Sequence, residues 1–314
     1  MDEKHIKEAE DENRVINECE NRDINECENN LPIGVFDSGV GGISVLKEAM
    51  KYLPNEKFIY FGDNLNAPYG DKTEEEIYNL TEKAVDYLSS KNIKALLIAC
   101  NTATSAAVSK LRNKLDIPVI GMEPAIKTAI NSDSVEKIYV MATDATLRLK
   151  KFSDLINTLG NSNEIVPITC SGLVEIIESG IIEGEILEGY LDKLFSVYSF
   201  EENSAIVLGC THYIFIKDFL KDYFEKKNTD GNQIRIEIID GNLGTIKQLA
   251  RKLEEESNEK EFSSKSENKT NKGINTILKN ENVEILSSDT TEKTKDVYIK
   301  LFGGVEYEIG RQRF

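Results

Sequence analysis

The chain has 314 residues, 40% hydrophobic and 30% charged, with 38 Lys and Arg against 55 Asp and Glu for a net charge of −17. That length suits two domains of ordinary size, and the acidic balance excludes a nucleic-acid partner, whose phosphates need clustered cations. No apolar stretch approaches the roughly 18 residues of a membrane span, and two histidines, His5 and His212, exclude a His-rich metal site.

Residues 1–30 carry eleven acidic side chains against four basic ones, with few apolar groups between them. Ile16-Asn17-Glu18-Cys19-Glu20-Asn21 recurs eight residues later as Ile24-Asn25-Glu26-Cys27-Glu28-Asn29. Such a segment buries too little apolar area to offset its ordering entropy, so a disordered acidic extension is expected. Cys19 and Cys27 then belong to a duplicated low-complexity tail rather than to a metal or redox pair. The acidic start also lacks the apolar core of a secretory signal. Five cysteines with no CxxC spacing read as reduced thiols of a cytoplasmic protein.

From Pro32 onward strands alternate with helices. Ile33–Asp37, Phe58–Gly62, Leu96–Cys100 and Val119–Met122 are apolar runs of strand length. Thr73 with Glu76 forms a capping box, and behind it Ile77, Leu80, Ala84, Tyr87 and Leu88 mark one helical face. A second set of strands follows at Ile138–Ala142, Val166–Thr169, Ala205–Gly209 and Ile234–Asp240. Glu254–Gly273, rich in Glu, Ser, Asn and Lys, reads as a flexible insertion. Val283–Leu286 and Thr290–Leu301 then supply a last strand and helix. This alternation predicts two similar α/β lobes, each a mostly parallel sheet flanked by helices, with an active site in the cleft between them.

Two segments echo each other across the lobes. Leu96–Thr102 (LLIACNT) and Ile206–His212 (IVLGCTH) each run a buried parallel strand into a cysteine followed by polar groups. Ligands of open α/β sheets sit at such carboxyl ends. Two thiols facing one pocket suit the removal of a proton from one face of a carbon and its return to the other. A cysteine taken singly is more often a small buried hydrophobe. The pairs Asn101-Thr102 and Thr211-His212, with His212 two residues from Cys210, favour chemistry for Cys100 and Cys210. Cys170, in TCSG, lacks that context and reads as structural.

Asp37-Ser38-Gly39-Val40-Gly41-Gly42 turns from a strand into a helix. Its spacing is not GxGxxG and no P-loop lysine follows, which argues against a nucleotide. Asp37 either orients a base or a ligand ammonium, or caps the turn. Pro68-Tyr69-Gly70 is a turn whose tyrosine hydroxyl and backbone N–H groups suit a carboxylate.

IGVFDSGVGG at 33–42, PYG at 68–70, ACNTA at 99–103 and GCTHY at 209–213, in this order and spacing, resemble glutamate racemase of the aspartate/glutamate racemase superfamily. The resemblance covers about residues 32–253. It implies an isomerase that needs no pyridoxal phosphate or other cofactor and supplies D-glutamate for peptidoglycan. It implies two bases, Cys100 acting on D-glutamate and Cys210 on L-glutamate. It places Asp37 as helper of the first and His212 as helper of the second. A carboxylate partner for His212 falls at Glu178, with Glu175 open on the same stretch. Asp37, Ser38, Tyr69, Gly70, Asn101, Thr102, Thr211 and His212 match substrate-contacting positions.

The resemblance also implies a homodimer, a first lobe of residues 31–124 plus 236–314, and a second of 125–235. Ile214-Phe215 stands where the family has Pro-Leu. The alternatives are an aspartate racemase of the same superfamily, a Cys–His hydrolase with Cys210 as nucleophile and His212 as base, which leaves Cys100 idle, and a non-catalytic amino-acid-binding protein.

Overall fold

The computed structural model describes residues 30–132, 135–159, 164–200, 203–227, 236–261, 282–304 and 308–312. The acidic extension up to residue 29, with Cys19 and Cys27, lies outside the described residues, as do 262–281.

Two wholly parallel sheets carry the fold. The first contains β1 (Ile33–Asp37), β2 (Phe58–Gly62), β3 (Ala95–Ile98), β4 (Val119–Gly121), β9 (Val283–Ser287) and β10 (Ile309–Arg311). They run in the order β10-β9-β2-β1-β3-β4. The second contains β5 (Lys137–Ala142), β6 (Glu164–Thr169), β7 (Ser204–Leu208) and β8 (Ile236–Asp240), in the order β6-β5-β7-β8.

Every residue of β1, β2, β3 and β7 is buried, as continuous apolar runs covered on both faces require. The period of two sorts their side chains. Val35, Tyr60 and Leu97 pack on one face of the first sheet with helices Ile43–Tyr52, Asn242–Glu261 and Glu292–Leu301. Phe36, Phe61, Leu96 and Ile98 pack on the other face with helices Glu74–Ser89 and Asn101–Lys114. The capping box of Thr73 and Glu76 is formed in both directions at the head of Glu74–Ser89.

The connections put a topological switch point in each sheet. From β1 the chain moves outward to β2 on one side and returns to β3 on the other. From β5 it moves to β6 and returns to β7. Open α/β sheets hold ligands at such points, so Asp37 and Cys100 in one lobe and Cys210 in the other fall where a ligand belongs.

Two expectations shift and one strand is added. β8 pairs with β7, so the chain returns to the first lobe after Asp240 and not at residue 236; residues 234–235 lie outside the described part. The stretch expected as a flexible insertion from residue 254 begins as regular helix, because Asn242–Glu261 is one helix anchored by Ile246 and Leu249 on the first lobe's core. β10, a three-residue edge strand, was too short to be read from its sequence.

Candidate active site

β3 stops at Ile98, and Cys100 stands just beyond it as the N-cap of helix Asn101–Lys114, accepting Ala103 N–H at 3.4 Å. A sulfur at that position receives the unpaired N–H groups of a helix start. Ser38, following β1 on the neighbouring strand, places Oγ 3.2 Å from Cys100 Sγ. Burial, then the charge of Asp37, push the Cys100 thiol up from 9.0 to about 12, against the bonds from Ser38 and Ala103.

Cys210 follows β7 and lies 3.6 Å from His212 Nδ1. On the far side of the ring, His212 Nε2 meets Glu178 Oε1 at 2.6 Å. Glu178 ends the short helix Leu173–Glu178 after β6. Glu175, one turn earlier, is exposed, so the carboxylate that reaches His212 is Glu178. Burial opposes a charged imidazole, yet the hydrogen bonds and charges of Cys210 and Glu178 hold His212 well above its ordinary 6.5.

Asp37 joins the two sides. It is fully buried at the end of β1, with Oδ1 accepting Gly39 N–H at 2.9 Å and Oδ2 accepting Thr211 Oγ1 of the other lobe at 3.1 Å. Burial raises its carboxyl from 3.8 to about 6; the His212 charge and those two hydrogen bonds pull the other way.

The remaining predicted residues gather around this group. The amide of Asn101 is buried and neither its oxygen nor its nitrogen has a partner. A buried amide left open in this way is costly, and a ligand with both donors and acceptors would satisfy it. Thr102 Oγ1 lies 2.9 Å from Thr143 Oγ1 and 3.0 Å from Thr146 Oγ1, a three-hydroxyl cluster across the lobes. The Gly70 carbonyl accepts Ala145 N–H, and a Cβ there would press on Thr143. Tyr69 is buried, and its hydroxyl donates to Asp63 Oδ2 at 2.7 Å. The hydroxyl expected to meet a carboxylate thus meets one of the protein's own.

Asp63, Asn64, Thr143, Thr146 and Tyr298 were not singled out in the sequence. The threonines had a signal, since Thr143 follows β5 as Cys210 follows β7. Tyr298 had none, being one aromatic on an ordinary amphipathic helix.

The Asp/Glu/hydantoin racemase family model matches residues 43–248. A glutamate racemase of Clostridium novyi is 49% identical over 275 residues, spanning 87% of this chain and 97% of that protein. One from Clostridium botulinum is 51% identical over 222 residues, 71% of this chain and 83% of that protein. The solved glutamate racemase of Francisella tularensis, in complex with D-glutamate, superposes with a TM-score of 0.72 at 28% identity, covering 91% of this chain and 98% of that one.

Proposed function

We infer that this chain, which belongs to the Asp/Glu/hydantoin racemase family, interconverts L- and D-glutamate with two cysteines and no cofactor. The observation that carries the reading is the placement of one cysteine at the switch point of each sheet, each with its own polar partner. Two bases on opposite faces of one carbon are what inversion at that carbon requires.

With D-glutamate bound, the Cys100 thiolate takes the α-proton, becoming a thiol. The electron pair left on the α-carbon delocalises into the α-carboxylate. Cys210, as thiol, gives its proton to the opposite face and is left as a thiolate beside the imidazolium of His212. L-glutamate runs the same steps backwards. The Asn101 amide and the hydroxyls of Thr102 and Thr211 are donors suited to charge that builds on the carboxylate. Asp37, buried and between the two lobes, suits the substrate ammonium, whose positive charge also makes α-proton loss easier. In the free protein burial favours Cys100 as a thiol, the form that awaits L-glutamate. D-glutamate is taken by the form in which that proton has moved from Cys100 to Cys210, and the substrate ammonium helps the Cys100 thiolate that remains. On the same reading the enzyme is a cytoplasmic homodimer feeding peptidoglycan assembly.

The test is incubation with each enantiomer in D₂O without added cofactor, followed by NMR and circular dichroism. Loss of optical activity with deuterium at the α-carbon is expected. A folded protein that exchanges no α-proton of glutamate overturns the reading.

A further inference from the structure

Glu178 comes from the second lobe, but its outer oxygen is met by the first. Asn64 Nδ2 donates to Glu178 Oε2 at 3.2 Å. The inner oxygen takes Val40 N–H at 2.8 Å as well as His212 Nε2. A carboxylate only accepts hydrogen bonds, so the Asn64 amide turns its NH₂ toward Glu178 and its oxygen away. That oxygen receives Tyr298 OH at 2.9 Å. Ser287 Oγ lies 2.8 Å from it and 2.7 Å from the Asp289 carbonyl, which compete for its one proton, and both side chains are buried in the last strand–helix unit.

The backbone leaves room for this chain of contacts. A Cβ at Gly39 would fall on Glu178 Oε1, and one at Gly62 would fall on the Tyr298 hydroxyl and stand 3.0 Å from Asn64 Oδ1. Leu65 N–H donates to Ser288 Oγ at 2.9 Å, which fixes the turn that carries Asn64.

We propose that Asn64, anchored by Tyr298 and Ser287, is a positioning residue for the Cys210 face. It fixes the rotation of the Glu178 carboxylate, and through it the His212 ring whose Nδ1 faces Cys210. The terminal torsion of a glutamate is broad. His212 and Val40 N–H both meet the inner oxygen and leave the carboxylate able to pivot about it, whereas a donor on the outer oxygen as well fixes its plane. The kinetic consequence rests on the racemase reading; the geometric one does not.

The test uses the full chain labelled with ¹⁵N-histidine, which contains only His5 and His212; a His5→Gln background leaves the His212 signals alone. The proton shared between His212 Nε2 and Glu178 should appear far downfield, as short charge-assisted bonds do. Asn64→Leu should abolish or broaden that signal and lower the His212 titration midpoint. It should also lower kcat/KM about tenfold. The enantiomers are equal in free energy, so kcat/KM falls equally in both directions and cannot distinguish the faces. Isotope effects can. The effect with α-deuterated L-glutamate should rise and that with α-deuterated D-glutamate should not.

Tyr298→Phe should show the same changes more weakly and carries the test if Asn64→Leu does not fold. An unchanged downfield signal in a folded variant overturns the proposal, as does an isotope effect with α-deuterated L-glutamate that does not rise above the wild-type value. A wild-type protein inert toward glutamate whose downfield signal is lost in Asn64→Leu would leave the positioning role standing and remove the racemase reading.

Discussion

Cys100 and Cys210 occupy the same place in the four-strand order that the two sheets share, yet their surroundings differ in kind. Cys100 sits among apolar side chains with a neutral hydroxyl, a helix N-terminus and the Asp37 carboxyl nearby. Cys210, also packed among apolar side chains, sits beside an imidazole backed by a carboxylate. The first surroundings favour a neutral thiol, since burial and a nearby negative charge both oppose a thiolate. The second provide a cation that can stand next to one. Equivalent positions in the two lobes are thus unequal, an asymmetry that suits a pair proposed to exchange one proton. The difference lies in the neighbours and not in the strand that delivers the sulfur.

The severest way to break the comparison is to remove each sulfur in turn. Cys100→Ser and Cys210→Ser should each lower racemisation by roughly 10³-fold or more, since one proton transfer loses its acid or base. Steady-state circular dichroism measures this. Near-wild-type turnover in either variant would show that the two faces are not both used.

Asp37 belongs to both sides, and its burial has a cost that pH can expose. Its folded value of about 6 lies above the 3.8 of the free group. The folded state therefore holds this proton more tightly than the unfolded one. The resulting contribution to stability is fully present below about 3.8 and is lost as pH rises through about 6. The difference between the folded and free values corresponds to about 3 kcal/mol as an upper figure. Asp37→Asn should raise thermal stability at pH 8 relative to wild type, and the gain should shrink toward pH 4. It should also remove most activity. A stability difference independent of pH would mean that the carboxylate is not strained by burial.

Much of this arrangement was legible before the fold was known, for identifiable reasons. LLIACNT and IVLGCTH each place polar residues directly after a strand that nothing polar interrupts, and that abrupt change marks a strand end. The capping box at Thr73 was legible because it is local. The partner of His212 was not fixed by pattern. Glu175 and Glu178 lie one turn apart on one short helix, and only the packing of that helix on the turn Thr211–Ile216 decides which carboxylate turns inward. The residue at which the chain returns to the first lobe was illegible for a similar reason, although the strand at 234–240 groups with the second set. An edge strand carries no mark of its neighbour, and the chain crosses back only at Gly241, whose missing side chain lets it pass the Glu123 carbonyl. Asn64 was passed over because a turn needs no other reason for an asparagine.

The Cys210 face can be weakened without touching its sulfur. Glu178→Gln keeps the shape but removes the charge behind His212, and its amide must donate where the carboxylate accepted. The midpoint of His212 should fall, and kcat/KM should drop about 10- to 100-fold, since a charge-assisted bond of about 1.5–3 kcal/mol is lost. The pH dependence should change with it, because wild-type His212 is held above its ordinary value in part by this carboxylate. A pH–rate profile identical to wild type would separate Glu178 from the chemistry.

The smallest change addresses the other face. Ser38→Ala removes the hydroxyl 3.2 Å from Cys100 and leaves the apolar surroundings intact. That hydroxyl is among the groups that offset burial at this thiol, so without it a thiolate is harder to form. A neutral hydrogen bond is worth about 0.5–1.5 kcal/mol, which corresponds to a loss of roughly two- to tenfold. The magnitude alone does not separate this variant from a mild packing defect; the direction of its isotope effects does. Ser38→Ala makes proton transfer at Cys100 more limiting, so the effect with α-deuterated D-glutamate should rise. Glu178→Gln should raise the effect with α-deuterated L-glutamate instead. Opposite signatures from two residues that touch different sulfurs would assign each enantiomer to its face. If both variants changed the same isotope effect, the two cysteines would not be serving opposite faces, and the inequality of their surroundings would need another cause.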